Sequence, residues 1–157
     1  MEYCTPALFH ATCTILKPLD GLQEGFLRKA GVTALEGLMV FNLAPLATRR
    51  DIAMLGLIHR TALNKGPVQF KQFFFLAEGR ATRLIRLTAR REAHGAQLID
   101  WRQRTHSNVI RRSALGLVAV YNLLPPEVIK VKDVKGFQRA LLDWSRKEQS
   151  RIARTGS

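Results

Sequence analysis

Hydrophobic residues recur at helical spacing along much of the chain. In residues 15–30, Leu16, Leu19, Leu22, Phe26 and Leu27 fall three and four apart with polar residues between them, the pattern of an amphipathic helix. Pro18 fits the first turn of such a helix, Asp20 and Glu24 favour its positive N-terminal end, Arg28 and Lys29 its C-terminal end, and Gly31 supplies the stop. Thr33, with Glu36 three residues on, predicts a capping box that opens a short helix over 34–41. Residues 45–63 predict the central helix. Its middle, 52–58, is apolar nearly all round, while Arg49, Arg50, Asp51, His59 and Arg60 sit near the ends, so it must be covered from several sides. Asn64, Gly66 and Pro67 end it, and 68–76 add another turn or two that bring Phe70, Phe73 and Phe74 to the core.

Periodicity weakens after residue 76. From Arg80 to Arg112 nine arginines stand against Glu92 and Asp100, a local balance of +7, which predicts an extended or partly helical connection with 97–101 as its one short strand. Ser107 or Asn108 is placed to cap a helix running to 124, with Ile110, Leu115, Val118 and Tyr121 inward and Pro125 and Pro126 stopping it. In 133–154, Val134, Phe137, Leu141 and Trp144 recur at three, four and three; this helix should dock by its first three turns and fray beyond them. The expected fold is mainly α, a small helical domain of five to six helices with an Arg-rich irregular connection. Residues 1–76 form a first helical unit, 77–106 the connection, and 107–157 a helical pair that packs back on the first unit, one structural domain overall. The expected core is Leu22, Phe26, Leu38, Phe41, Ile52, Leu55, Ile58, Phe70, Phe73, Leu115, Val118, Tyr121, Phe137 and Leu141.

At 157 residues the chain is long enough to bury about two-thirds of its unfolded surface, and its 46% apolar and 24% charged residues are ordinary globular usage. Cys4 and Cys13 are too few for a disulfide framework and read as buried thiols. Glu2 and His10 interrupt any signal peptide, and the longest apolar stretch, 114–124, falls short of the roughly 20 residues that span a bilayer. The expectation is an intracellular protein, nuclear or cytoplasmic, with no membrane span.

Reactive clusters are scarce. Two-metal chemistry needs neighbouring carboxylates, and no two acidic residues lie closer in sequence than Asp20 and Glu24. None of the 11 glycines forms a phosphate-cradling G-x-G-x-x-G, and no Gly-Lys-Ser/Thr occurs. Cys4, His10 and Cys13 match no common zinc spacing, and His59, His94 and His106 read as surface or capping imidazoles. The expectation is therefore no catalytic residue, no metal and no cofactor. The charge is different: 25 Lys and Arg against 12 Asp and Glu leave +13, and 17 of those 25 are Arg, whose planar fork holds phosphate and stacks on bases. A solvated face, or a genome that inflates Arg, also yields arginines. The clustering of Arg80, Arg83, Arg86, Arg90, Arg91, Arg102, Arg104, Arg111 and Arg112 beside Trp101 favours a nucleic-acid-tracking groove with Trp101 as a stacking platform.

Three stretches resemble the C-terminal region of non-LTR (LINE-like) retrotransposon reverse transcriptases. The family's W-N-x-L-P-x-x-V pattern and following F-x-x-x-L helix are matched at Tyr121, Asn122, Leu124, Pro125, Val128, Val134, Phe137 and Leu141, with Tyr121 where Trp is usual. The family's post-polymerase helices are matched at Tyr3, Phe9, Leu19, Gln23, Phe26 and Arg28, and an Arg-Arg stretch at Leu46, Arg49, Arg50, Leu57 and Gly66. The matches are collinear over nearly the whole chain, but the aromatic-x-Asp-Asp polymerase signature is missing. The resemblance implies thumb-like helices and a C-terminal tail that bind RNA or template–primer without catalysis, beside an upstream polymerase domain of the same element. A helical protein-interaction module and a non-functional retroelement remnant fit the same profile. A continuous positive face over 80–112 would separate the first reading from a protein-interaction module.

Overall fold

The computed structural model describes residues 9, 11–77, 94–101, 110 and 113–155. It is mainly helical, with seven α-helices among the described residues: α1 Cys13–Lys29, α2 Ala34–Met39, α3 Leu46–Ala62, α4 Val68–Lys71, α5 Val118–Asn122, α6 Pro126–Ile129 and α7 Val134–Thr155. A 3-10 turn, Ala114–Leu117, leads into α5.

Local signals place most helix ends. At the end of α1, Gly31 adopts φ 68°, and the Val32 amide reaches back to the Leu27 carbonyl at 2.9 Å, closing the helix with a left-handed residue. Asn64, at φ 61°, does the same for α3 through the Lys65 amide and the Arg60 carbonyl. The predicted capping box is present: the Glu36 amide donates to Thr33 Oγ1 at 3.1 Å and the Thr33 amide to Glu36 Oε2 at 2.8 Å. The Thr33 amide and the Thr33 hydroxyl, the latter also at 2.8 Å, both donate to the Glu36 carboxylate and hold it below its ordinary range.

Several expectations need correction. α1 starts at Cys13, so Pro18 lies in its second turn and not its first, leaving the Thr14 carbonyl without an amide partner there. Ser113 caps the 3-10 turn by accepting from the Leu115 amide at 3.2 Å; Ser107 and Asn108 lie outside the described residues. Pro126 opens α6 instead of only ending α5. α7 stays engaged past its third turn, because Arg146 donates to the Met39 carbonyl and Ser150 reaches the Met39 sulfur.

α7 packs along α3, and the core forms between them: Met54, Leu55 and Ile58 from α3, Val118 and Tyr121 from α5, Val128 and Ile129 from α6, and Phe137 and Leu141 from α7. Of the expected core, Leu38, Leu55, Ile58, Val118, Tyr121, Phe137 and Leu141 are buried, while Ile52, Phe70 and Leu115 pack half-buried against it. Leu22, Phe26, Phe41 and Phe73 are exposed, Leu22 and Phe26 by more than 60%. The reason on α1 is polar docking. Asp20 forms a two-bond ion pair with Arg50 at 2.8 and 2.9 Å, and Gln23 donates to the Ala44 carbonyl at 3.0 Å. These bonds turn the Leu16–Asp20–Gln23–Leu27 stripe inward and leave the neighbouring Ile15–Leu22–Phe26 stripe in solvent.

The expected strand reduces to one antiparallel bridge, Leu76 to Leu98, flanked by Ala77 N–H to Gln97 O at 2.7 Å and Ile99 N–H to Phe75 O at 2.9 Å. Residues 74–77 are extended and not helical, so Phe74 points to the core while Phe73 and Phe75 face out.

Candidate nucleic-acid interface

A buried polar network fixes this bridge to the helices. Asn122, at the end of α5, accepts from the Leu98 amide through Oδ1 at 2.8 Å and donates from Nδ2 to the Leu98 carbonyl at 2.7 Å. Because Gln97 and Ile99 bond toward 75–77, Leu98 turns its own amide and carbonyl the other way, and Asn122 satisfies both as a neighbouring strand would. Gln97 Nε2 donates to the Asn122 carbonyl at 3.0 Å.

His59 and His94 complete the network. Both are buried, which corrects the expectation of surface or capping imidazoles. The Val131 carbonyl only accepts, so His59 Nε2 carries the proton given to it at 2.7 Å, and His59 Nδ1 accepts from the Tyr121 hydroxyl at 3.0 Å. The His59 ring stacks on Phe137 with centroids 4.0 Å apart. His94 Nε2 donates to the Tyr121 carbonyl at 3.0 Å, and its ring meets Tyr121 edge-on. Burial pushes both imidazoles toward lower proton affinity and keeps Tyr121 protonated far into the alkaline range. Three of the four ring nitrogens are committed to the fold, and His94 Nδ1 is buried without a hydrogen-bond partner among the described residues. Among the described residues no group of His, Cys, Asp and Glu could hold a metal ion, and no helix is long and apolar enough to cross a membrane. Cys4, His10 and His106 lie outside the described residues.

Trp101 stands at the far end of the bridge. Its Nε1 donates to the Phe73 carbonyl at 2.8 Å, and its ring leans on that of exposed Phe75, centroids 6.4 Å apart and tilted by 57°. The indole is half-buried, and its one N–H is used internally. All nine predicted arginines, Arg80, Arg83, Arg86, Arg90, Arg91, Arg102, Arg104, Arg111 and Arg112, lie outside the described residues. In sequence, 78–93 lies between Ala77, beside the bridge, and His94, four residues before its Leu98 partner, and Arg102 directly follows Trp101.

A second basic feature was not anticipated. Arg49, Ile52 and Ala53 on α3, Gln138, Arg139 and Leu142 on α7, and Asn42 from the α2–α3 linker enclose a cleft of about 350 Å³. Its described lining residues include no carboxylate. Sequence reading places Arg49 at a helix end and in the Arg-Arg stretch of the retroelement resemblance, and singles out none of Asn42, Gln138 and Arg139 as a site residue. The available sequence signal was Gly56: a glycine inside an apolar helix marks close approach by something else. Compared with known protein families, curated proteins and solved structures, the chain matches none.

Proposed function

We propose that this chain binds single-stranded nucleic acid or RNA without catalysing a reaction, as the C-terminal, thumb-like region of a retroelement reverse transcriptase would. The observation that carries the reading is the Phe75–Trp101 aromatic pair, held on a bridge to which both arginine-rich segments are joined. Aromatic faces stack on bases while guanidinium groups follow the backbone, the division of labour used by proteins that grip single strands. The positions on which the retroelement resemblance rests also support it. Tyr121, Asn122, Leu124, Val128, Phe137 and Leu141 are buried and build the fold, a role that suits a gripping module more than a reaction centre.

The test is fluorescence anisotropy with a 12-nucleotide RNA across a salt series. Replacing Arg83, Arg86, Arg90 and Arg91 together with Gln should weaken binding several-fold and lower the salt slope by about 2.8, at roughly 0.7 per phosphate contact on a single strand, with the thermal midpoint little changed. Trp101→Leu should cost a further ~1–3 kcal/mol of binding, and Trp101→Phe, which keeps a ring but no N–H, should retain most of it. Equal affinity of the four-arginine variant and the parent would refute the reading.

A second reading, a helical protein-interaction module, is favoured by the exposed Ile15–Leu22–Phe26 stripe on α1. Replacement of these three residues by Gln leaves RNA affinity unchanged under the first reading.

A further inference from the structure

We infer that the outer face of α1 is a self-association seam, through which two copies of this chain pair by laying their α1 helices antiparallel. Spacing, an unfilled glycine position and the distribution of charge on that helix all point to a second copy.

The exposed apolar residues follow a seam repeat. Ile15, Leu19, Leu22 and Phe26 are four, three and four apart, the a/d spacing by which two helices pack knobs into holes. Ile15, Leu22 and Phe26 are 60%, 65% and 62% exposed and Leu19 is half-buried. The stripe is therefore open in the single chain, even though α1 is docked through Leu16, Asp20, Gln23 and Leu27. With Pro18 and the stem of Lys29 it offers roughly 600 Å² per copy, about 1,200 Å² for the pair, the low end of specific interfaces.

Gly25 lies on the flank of this stripe, and no described atom comes within 4 Å of where its Cβ would stand. A glycine inside a helix is costly relative to alanine, and nothing in the described chain uses the space it leaves. An antiparallel pair centred between Asp20 and Gly21 does use it. Ile15 then meets the partner's Phe26, Leu19 the partner's Leu22, and Pro18 the partner's Gly25, where the missing side chain lets the two backbones approach.

The charge distribution selects the occupant. The chain carries +13, yet the stripe holds one cation, Lys29, at its end. An acidic partner would find almost nothing to pair with along it, whereas a second copy needs only matching apolar surface. The antiparallel order also sets each Lys29 across from the partner's Thr12, where a parallel pair would bring the two ammonium groups together. Such a contact is isologous and closes at two copies. Because both copies are strongly positive, pairing should tighten as salt screens their repulsion, the opposite of binding to a polyanion.

The experiment is sedimentation equilibrium of the full, nuclease-treated chain from about 1 to about 200 μM, at roughly 0.1 and 0.5 M salt. The mass should rise from 17.7 kDa toward twice that value, with a dissociation constant in the micromolar range that falls several-fold at the higher salt. Leu22→Gln with Phe26→Gln should stay monomeric throughout at a little-changed urea midpoint, since both side chains are exposed. Gly25→Gln leaves the apolar residues in place; it should weaken pairing about tenfold or more while raising the urea midpoint of the dilute monomer, because glutamine is the better helix residue. Thr12→Glu, which sets a carboxylate across from the partner's Lys29, should tighten pairing at low salt. A monomer at every concentration, or self-association that survives Leu22→Gln with Phe26→Gln, overturns the seam and leaves the nucleic-acid reading standing. Association that weakens as salt rises overturns it too, as the mark of a bridging polyanion. Pairing weakened by Thr12→Glu overturns the antiparallel order.

Discussion

Replacing Asn122 with alanine tests the polar network most directly. The side chain satisfies two backbone groups of Leu98, a residue with no exposed surface, at 2.8 and 2.7 Å. Alanine leaves a buried N–H and a buried C=O without partners, each worth about 1–3 kcal/mol, and partial relaxation brings the expected loss to about 3 kcal/mol. For a domain of this size that is a fall of roughly 6–12 °C in thermal midpoint. Urea unfolding should report the same loss through the midpoint at unchanged slope. Asn122→Asp sharpens the test. A carboxylate still accepts from the Leu98 amide but cannot donate to its carbonyl, and it buries a charge, so at pH 7 it should cost at least as much as alanine. In acid the protonated carboxyl regains a donor, and the gap between the two variants should close or reverse. Hydrogen exchange at the Leu98 amide should rise strongly in both. A loss under about 1 kcal/mol for Asn122→Ala would mean that Asn122 does not hold the 97–99 segment, and the platform for Phe75 and Trp101 would lose its support.

Acid should destabilise the protein through its buried imidazoles. His59 and His94 bind protons less readily folded than unfolded, where the ordinary value is near 6.5. Below about pH 6.5 the unfolded chain therefore holds more protons, and stability falls as pH drops toward the folded values while staying flat above about pH 7.5. A urea midpoint constant from pH 8 to 5 would contradict the assignment of two neutral, buried rings. Asp20→Asn should cost about 1–3 kcal/mol, since it leaves the Arg50 guanidinium, nine-tenths buried, without its carboxylate; the figure is below that of a fully buried pair because Asp20 is a third exposed. Chemical denaturation measures it, and a neutral result would mean that α1 is not docked through this pair. Gly66→Ala should destabilise by about 1–3 kcal/mol, because its Cβ would lie 2.2 Å from Thr61 Oγ1 and 2.7 Å from Thr61 Cα, and the second is backbone.

What the sequence made legible follows the range of the physics involved. Helix ends depend on residues three to five apart, so Gly31, the Thr33–Glu36 box and Asn64 could be read directly, and α2 and α3 appear within two residues of their expected bounds. The face a helix buries depends on what lies across from it. On α1 the spacing groups Leu16, Leu19, Leu22, Phe26 and Leu27 on one face, yet the partners waiting at Arg50 and the Ala44 carbonyl are polar and select Asp20 and Gln23, so Leu16 and Leu27 go in while Leu22 and Phe26 stay out. No periodicity in 15–30 contains that information. The histidines fail for the same reason: His59 is buried because Tyr121 and Val131, 62 and 72 residues on, satisfy both of its nitrogens.

The Tyr121-Asn122 pair shows how a motif can be visible while its work is not. Its resemblance to a retroelement pattern marked the residues without saying what they touch. Spatially, Tyr121 and Asn122 join α3 to 94–98 through neighbouring positions, the hydroxyl reaching His59 and the amide reaching Leu98. A side chain one atom different at either place leaves a buried partner unmatched, so the pair constrains the fold by hydrogen-bond geometry where most of the core asks only for volume. The Gly56–Gln138 contact follows the same logic from the opposite direction. There a missing side chain makes room for a longer one: a Cβ at residue 56 would lie 2.6 Å from Gln138 Nε2, so the α3–α7 contact at this point asks for glycine.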